Sequence, residues 1–163
     1  MVTASTAGIG YAIAERMAQE GAFVHICSRK EANVRKAVDD LQRKGLKVHG
    51  HVCNVGAKQE RVKMLDKIKE MHGGRLDVLV PNAACSTHFG DQLEIPEKAY
   101  DKLWSLNVKS TFFLIKESID MLRQSKAANI LVVSSVTGTM PNYMIGVYGM
   151  TKAALDNMVK GLA

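Results

Sequence analysis

Short apolar runs alternate along the chain with longer segments whose apolar side chains recur every three or four residues. Ala22–Cys27 predicts a buried strand, and Glu31–Lys44 predicts a helix that Gly45 stops. Leu46–Val52 is the next expected strand. Gln59–His72 is expected to be helical, with Val62, Leu65 and Ile68 on its inner face and Gly73-Gly74 at its end. Leu76–Val80 predicts a fourth strand, with Pro81 placed where a ladder N–H is no longer needed. Ile95–Leu122 contains a long helix entered near Pro96, Ile130–Ser134 is a fifth strand, and Val147–Leu162 is a closing helix. Val2–Gly10 predicts a strand end and a small-residue turn, leading into a helix through Tyr11–Ala18. Strands separated by helices of this length imply a parallel sheet covered on both faces.

Composition narrows the class. The 163 residues are 47% apolar, enough for one globular domain with a real core. No apolar run approaches the length of a membrane span, and the opening residues are expected to belong to a fold element rather than to a signal peptide. The formal charge is +6, but lysines and arginines are interspersed with acids along helices, as in Arg35-Lys36 and Asp39-Asp40. That is a solvated surface rather than a nucleic-acid stripe, and no basic–aromatic interleaving suggests single-strand binding. Cys27, Cys53 and Cys85 form neither a zinc pattern nor a disulfide framework, which fits a reducing compartment. The five histidines (His25, His49, His51, His72, His88) show no metal-ligand spacing; His49 and His51 alternate on a strand, where side-chain packing accounts for them.

Two patterns carry chemistry. Tyr148 and Lys152 lie four residues apart in a predicted helix, with Ser135 thirteen residues before the tyrosine. Positions i and i+4 share a helix face, so an ammonium can sit beside a phenol and favour its ionised form. Read alone, the pair also suits an aromatic ring packed on a lysine stem. The turn Thr3-Ala4-Ser5-Thr6-Ala7-Gly8-Ile9-Gly10 lets backbone approach a phosphate at a helix N-terminus. Read alone, it also suits an ordinary strand–helix turn, because Ala4 stands at the first glycine position of the dinucleotide fingerprint.

Together these residues resemble the short-chain dehydrogenase/reductase family, and within it the branch of NADP-dependent retinol dehydrogenases and carbonyl reductases called dehydrogenase/reductase member 4. Thr3–Gly10 matches the family glycine motif T-G-x-x-x-G-x-G with alanine at its first glycine. Pro81-Asn82-Ala83-Ala84 matches N-N-A-G with two changes. Asn107, Ser135, Tyr148 and Lys152 fall on the catalytic tetrad. The resemblance covers essentially the whole chain. It implies a Rossmann-like three-layer α/β fold with a central parallel sheet, a single dinucleotide-binding and catalytic domain over 1–163. The domain is expected to be incomplete at both termini. Almost no first strand precedes the turn, and relatives continue past the tyrosine helix with two more strands and the elements that cover the substrate. Such a chain is expected to be poorly stable, with little or no reductase activity.

The resemblance further implies hydride transfer between nicotinamide and a hydrophobic carbonyl or alcohol. Tyr148 is the expected proton donor and Ser135 the oxygen-binding hydroxyl. Lys152 lowers the tyrosine pKa and binds the nicotinamide ribose, while Asn107 fixes a relay water. Thr3, Ser5, Gly8, Ile9, Gly10, Asn54, Val55 and Asn82 are expected at the cofactor. No acid follows the second strand; Ser28 and Arg29 stand there instead, and a guanidinium fork suits the extra phosphate of NADP(H). Met140, Pro141, Tyr143 and Met144 are expected to line an apolar substrate wall. The expected assembly is a homodimer or homotetramer in the cytoplasm or in an organelle such as the peroxisome or mitochondrion. An NAD-dependent relative and a truncated, inactive binding or oligomerisation protein are the alternative readings.

Overall fold

The computed structural model describes residues 1–163. Six helices and four strands alternate: α1 (Gly8–Gln19), β1 (Val24–Ser28), α2 (Glu31–Arg43), β2 (Val48–Val52), α3 (Lys58–Met71), β3 (Val78–Leu79), α4 (Glu97–Leu103), α5 (Ser110–Arg123), β4 (Asn129–Ile130) and α6 (Gly146–Leu162). A π-helix, Trp104–Lys109, joins α4 to α5.

The sheet is two parallel pairs joined by the start of the chain. β1 pairs with β2 from Val24↔Val48 to Ser28↔Val52, and β3 pairs with β4 through Val78↔Asn129 and Leu79↔Ile130. Val2 bridges both pairs, to Ile26 on one side and to Val80 on the other. Its N–H donates to His25 O at 2.9 Å, the Thr3 N–H donates to Val80 O at 3.1 Å, and the Val80 N–H donates to Met1 O at 2.8 Å. The order is therefore β2, β1, Met1–Thr3, β3, β4, all parallel, which is the Rossmann-like arrangement. The stub at the N-terminus, expected to supply almost no strand, is the centre of the sheet.

Alternation of side chains sends two cores to opposite faces. Val2, Val24, Ile26 and Val80 pack with Ala14 and Ala18 of α1 and Ala37 and Leu41 of α2. Met1, Cys27 and Leu79 pack with Met64, Leu65 and Ile68 of α3 and Leu114, Ile115 and Leu122 of α5. Three layers result: helices, sheet, helices. α6 runs along the π-helix. No helix is long and apolar enough to cross a membrane.

Three expectations need correction. The strands expected at 76–80 and 130–134 pair regularly over only two residues each. Bonds from Leu131 N–H to Leu79 O and from Val133 N–H to Pro81 O continue the ladder, but Pro81 has no N–H to return. The next two N–H groups, of Asn82 and Ala83, go to the Thr3 hydroxyl instead. The long helix is broken at Trp104–Lys109, where the backbone widens and the hydroxyls of Ser110 and Thr111 bond back to the carbonyls of Leu106 and Asn107. On α3 the inner face is Arg61, Met64, Leu65 and Ile68, and Val62 is 38% exposed. A buried arginine takes the place that apolar periodicity assigned to valine.

Candidate active site

The first part of the site is the turn between Thr3 and α1. Ala4 is the one non-glycine residue with a left-handed backbone, at φ +49°. Gly8 has φ +60° and opens onto free space, so the turn needs its conformational freedom rather than its small size. Gly10 needs size: a β-carbon there would sit 2.5 Å from Asn82 Nδ2 and 2.7 Å from Ala4 O. The Asn82 carboxamide donates to the carbonyls of Thr3 and Ala4, fixing the turn from beneath. The side chains of Thr3 and Ser5 do not face outward as sequence-assigned cofactor contacts would. The Thr3 hydroxyl accepts from Asn82 and Ala83, and the Ser5 hydroxyl donates to Val2 O and accepts from Cys27 N–H. Both are buried, because each must satisfy backbone at the end of a three-residue strand. Only their main chains remain for a ligand. The first turn of α1 has no side-chain cap and no acid, leaving its N–H groups open to an anion. Ile9 is 65% exposed beside them.

The second part is on α6. Its N-terminal turn carries Tyr148, and Lys152 follows one turn later. Lys152 Nζ lies 5.5 Å from the Tyr148 ring centre and donates to Val133 O at 2.8 Å. Only 2% of this lysine is exposed. Burial holds its pKa below the ordinary value, with Asp156 pulling the other way. Gly149 and Gly138 let this helix approach the Ser135 turn: a β-carbon at Gly149 would meet Thr137 O at 2.7 Å. Ser135 caps that turn, its hydroxyl accepting from Thr137 N–H and Oγ1. The same hydroxyl is close enough to Tyr148 to lower the pKa of its phenol.

Sequence reasoning expected Lys152 to lower the tyrosine pKa; the net shift is upward. Burial of the phenol raises it first, the nearby Ser135 hydroxyl lowers it, and Cys85 raises it. The ammonium is turned to Val133 O rather than to the phenol oxygen. Asn107 is fully buried and fully bonded within the protein. Its Oδ1 accepts from Cys85 N–H, and its Nδ2 donates to Cys85 O and Thr151 Oγ1. Its side chain ties the segment after β3 to α6, and its own carbonyl accepts from Thr111.

A cleft lies at the C-terminal ends of the strands, lined by Ala4, Ser28, Arg29, Asn54, Val55 and Cys85 among others. It contains Arg29 and Lys102 but no carboxylate. Arg29 makes no ion pair and is exposed at the rim. The Asn54 side-chain oxygen accepts from Gly56 N–H, while Val55 is buried. Cys85 lines the cleft and is tied through Asn107 to Thr151 of α6, the helix that carries Tyr148. Beyond the tyrosine, Met140 and Tyr143 are 65% and 66% exposed, an apolar surface as expected of the 136–147 segment. Two bonds stitch that segment to the loop after β3, from Tyr143 OH to Asp91 and from Gly90 N–H to Met144 O. His88 points its Nε2 at Asp91 O, within this loop.

Two groups of residues escaped sequence reasoning. Arg61 of α3 is 4% exposed, paired with Glu117 of α5, and donates to Val55 O beneath the cleft. The alternation of Gln, Glu and Arg before an apolar stripe gave no hint of this. At the opposite end of the sheet, His25 Nδ1 lies 2.8 Å from His51 Nε2, and His25 Nε2 lies 2.6 Å from His72 Nε2. Packing alone therefore does not account for these histidines.

Known proteins with this pattern agree. The family model described as short chain dehydrogenase matches residues 1–163. Dehydrogenase/reductase SDR family member 4 of Bos taurus is 42% identical over the whole chain, and tropinone reductase-like 3 of Erythroxylum coca is 41% identical. The chain spans 58% and 62% of the lengths of those two relatives. Among solved structures, an actinorhodin polyketide ketoreductase with NADPH superposes with a TM-score of 0.93 at 26% identity, covering 99% of this chain and 62% of that one. A 7α-hydroxysteroid dehydrogenase complexed with NADH and 7-oxo glycochenodeoxycholic acid gives 0.92 at 26% identity, covering 99% and 62%. With the glycine turn, the acid-free cleft and the serine–tyrosine–lysine cluster on one edge of a parallel sheet, the chain belongs to the short-chain dehydrogenase family.

Proposed function

We propose that residues 1–163 form the dinucleotide-binding and catalytic domain of an NADPH-dependent carbonyl reductase of the dehydrogenase/reductase member 4 type. Retinal-like and aromatic carbonyl compounds are the class of substrate. The observation that carries the reading is the convergence of Ser135, Tyr148 and a buried Lys152 beside a cleft whose only charged residues are cations. The residues present fit the cofactor. The uncapped first turn of α1 suits a pyrophosphate, and the missing β-carbon of Gly10 lets the turn fold tightly against Asn82. Arg29 and Ser28 suit a ribose phosphate, where a carboxylate would repel it. The similar polyketide ketoreductase holds NADPH and a metagenomic short-chain oxidoreductase holds NADP, while the hydroxysteroid dehydrogenase holds NADH, so the choice of NADPH rests on Arg29 and Ser28.

When bound, the dinucleotide supplies the hydride that reaches the carbonyl carbon. Tyr148 gives its phenolic proton to the carbonyl oxygen. Burial holds the phenol above its ordinary pKa, which keeps it protonated at neutral pH but makes it a weaker acid, so the developing charge on the carbonyl oxygen must draw the proton across. Ser135 donates its one proton to the same oxygen, where negative charge develops. The Lys152 ammonium, one helical turn away, offsets the charge of the phenolate left behind. Asn107 keeps Cys85 and Thr151 in place, so that the segment after β3 and α6 close around the reacting atoms. Met140, Tyr143 and Met144 give the substrate an apolar wall.

The same reading includes self-association. Trp104 has a buried indole N–H without a partner, at a groove lined by Val108, Phe112 and Met158 on the outer side of the π-helix and α5. A homodimer or homotetramer covers such a face. The function is tested by titrating NADPH and following reduction of an aromatic dicarbonyl. Tyr148→Phe is expected to bind NADPH normally and lose most turnover, and Arg29→Asp to lose NADPH affinity but keep NADH affinity. Near-normal reduction by the phenylalanine variant refutes the proton-donor role, and unchanged NADPH affinity in the aspartate variant refutes the phosphate assignment.

A further inference from the structure

The cleft wall at Asn54-Val55 is held by a device outside the cleft. These two residues follow β2 and carry no regular structure of their own. Their backbone is pinned at both ends by adjacent side chains in the first turn of α3. Glu60 Oε2 accepts from Asn54 N–H at 2.7 Å, and Arg61 Nη1 donates to Val55 O at 2.7 Å. Arg61 is in turn locked from the other side. Its Nε and Nη2 donate to the two carboxylate oxygens of Glu117 at 2.8 and 2.9 Å, and its guanidinium lies 5.9 Å from the Phe113 ring centre. The arginine is 4% exposed and the pair spans α3 and α5.

Taking two charges out of water is costly, and an apolar pair of the same volume holds two helices together at least as well. Helix packing therefore does not explain the ion pair. A planar fork explains it better: two of its donors fix its orientation on Glu117, leaving the third aimed at one backbone carbonyl. We propose that Glu60, Arg61 and Glu117 are positioning residues for the cofactor's adenine half. They preorganise the Asn54-Val55 wall, so that binding does not have to order it. This rests on the dinucleotide reading of the cleft. It differs from the role of Arg29, which touches the ligand and tells one nucleotide from the other. A positioning device acts on every ligand that carries the adenosine.

The experiment uses the double variant Arg61→Met/Glu117→Leu, which removes both charges and keeps apolar volume between α3 and α5. NADPH, NADH and 2′,5′-ADP are each titrated by calorimetry, with the binding stoichiometry giving the folded fraction. Chemical denaturation is run in parallel. The expected result is unchanged stoichiometry, unchanged or higher stability, and dissociation constants raised about tenfold for all three ligands by the same factor, the worth of one charge-assisted bond. Glu60→Ala, at an exposed carboxylate that the core does not need, is expected to weaken all three equally by a few-fold. Arg61→Lys, which cannot hold Glu117 and Val55 in one plane, is expected not to rescue. Affinities unchanged in the double variant and in Glu60→Ala overturn the proposal, as does a loss confined to NADPH. If the double variant does not fold, the Glu60→Ala titration decides in the same terms. Failure of the unaltered protein to bind any of the three ligands overturns the dinucleotide reading itself, a different result from equal binding by variant and parent.

Discussion

Acidification should destabilise this protein through its histidine chain before it titrates most carboxylates. Burial, with the neighbouring His51, His72 and His49 and the Met1 ammonium, pushes His25 down to about 3. Burial, with His49 and Lys67, pushes His51 down to about 4. No carboxylate is among the groups that shift either ring. Both folded values lie below the ordinary imidazole value of 6.5, so the folded state excludes protons that the unfolded chain takes up. The associated stability is complete above that value and is lost as pH falls from it toward 3. At pH 5 each imidazole kept neutral costs about 2 kcal/mol, from roughly 1.5 pH units at about 1.36 kcal/mol each. The pair then costs at most about 4 kcal/mol, a large part of the roughly 5–15 kcal/mol that holds a domain together. One shared proton lowers that ceiling, because a charged His25 can donate to both neighbours. Urea denaturation followed by Trp104 fluorescence at pH 7.5, 6 and 5 measures the slope. In His25→Gln, which can bond at both ends but cannot titrate, the loss between pH 7.5 and 5 should shrink by about 2 kcal/mol. The Met1 ammonium, pushed down to about 5 by burial, adds a slope of the same sign common to both proteins. Parallel curves for variant and parent would refute the reasoning.

Ala4→Gly should raise stability by about 1 kcal/mol, the strain of an L-residue in a left-handed backbone, read as a shift in denaturation midpoint. Gly10→Ala should abolish NADPH binding and destabilise the fold by several kcal/mol, because its methyl group would strike the Ala4 carbonyl and Asn82; near-parental affinity would show that the turn can shift. Lys152→Met should leave thermal stability equal or higher while removing most turnover, since it takes away a buried charge that has no carboxylate bonded to it. A melting temperature several degrees lower would show that the lysine is structural.

The helices and the reacting side chains were legible because each rests on a local rule. Periodicity places α2 and α6 within about a residue of the expected bounds, and spacing alone puts Tyr148 and Lys152 on one face. The acid-free exit of β1 at Ser28-Arg29 was equally readable. What escaped depends on contacts between residues far apart. Arg61 is buried because Glu117 meets it from another helix, a fact invisible in a window that rewards Val62. The direction of the Tyr148 shift depends on how deeply the ring is covered, and helix spacing cannot give that. His25, His51 and His72 come together only when β1, β2 and the end of α3 pack. Thr3 and Ser5 look like ligand donors in a motif, yet the short central strand consumes both hydroxyls.

That central strand also sets the order in which the molecule can be built. β1 and β2 with α1 and α2 involve partners close in sequence and can assemble as soon as they leave the ribosome. Val2 and Thr3 cannot complete their bonds until Val80, Asn82 and Ala83 exist, with Thr3 and Asn82 79 residues apart. Closing so long a loop carries an entropic cost that nothing local offsets beforehand. Val2 and Thr3, which precede β1 in the chain, are thus among the last to be ordered. Until then the inner edge of the β1–β2 half stands open, so the nascent chain has a vulnerable interval that ends only when β3 arrives.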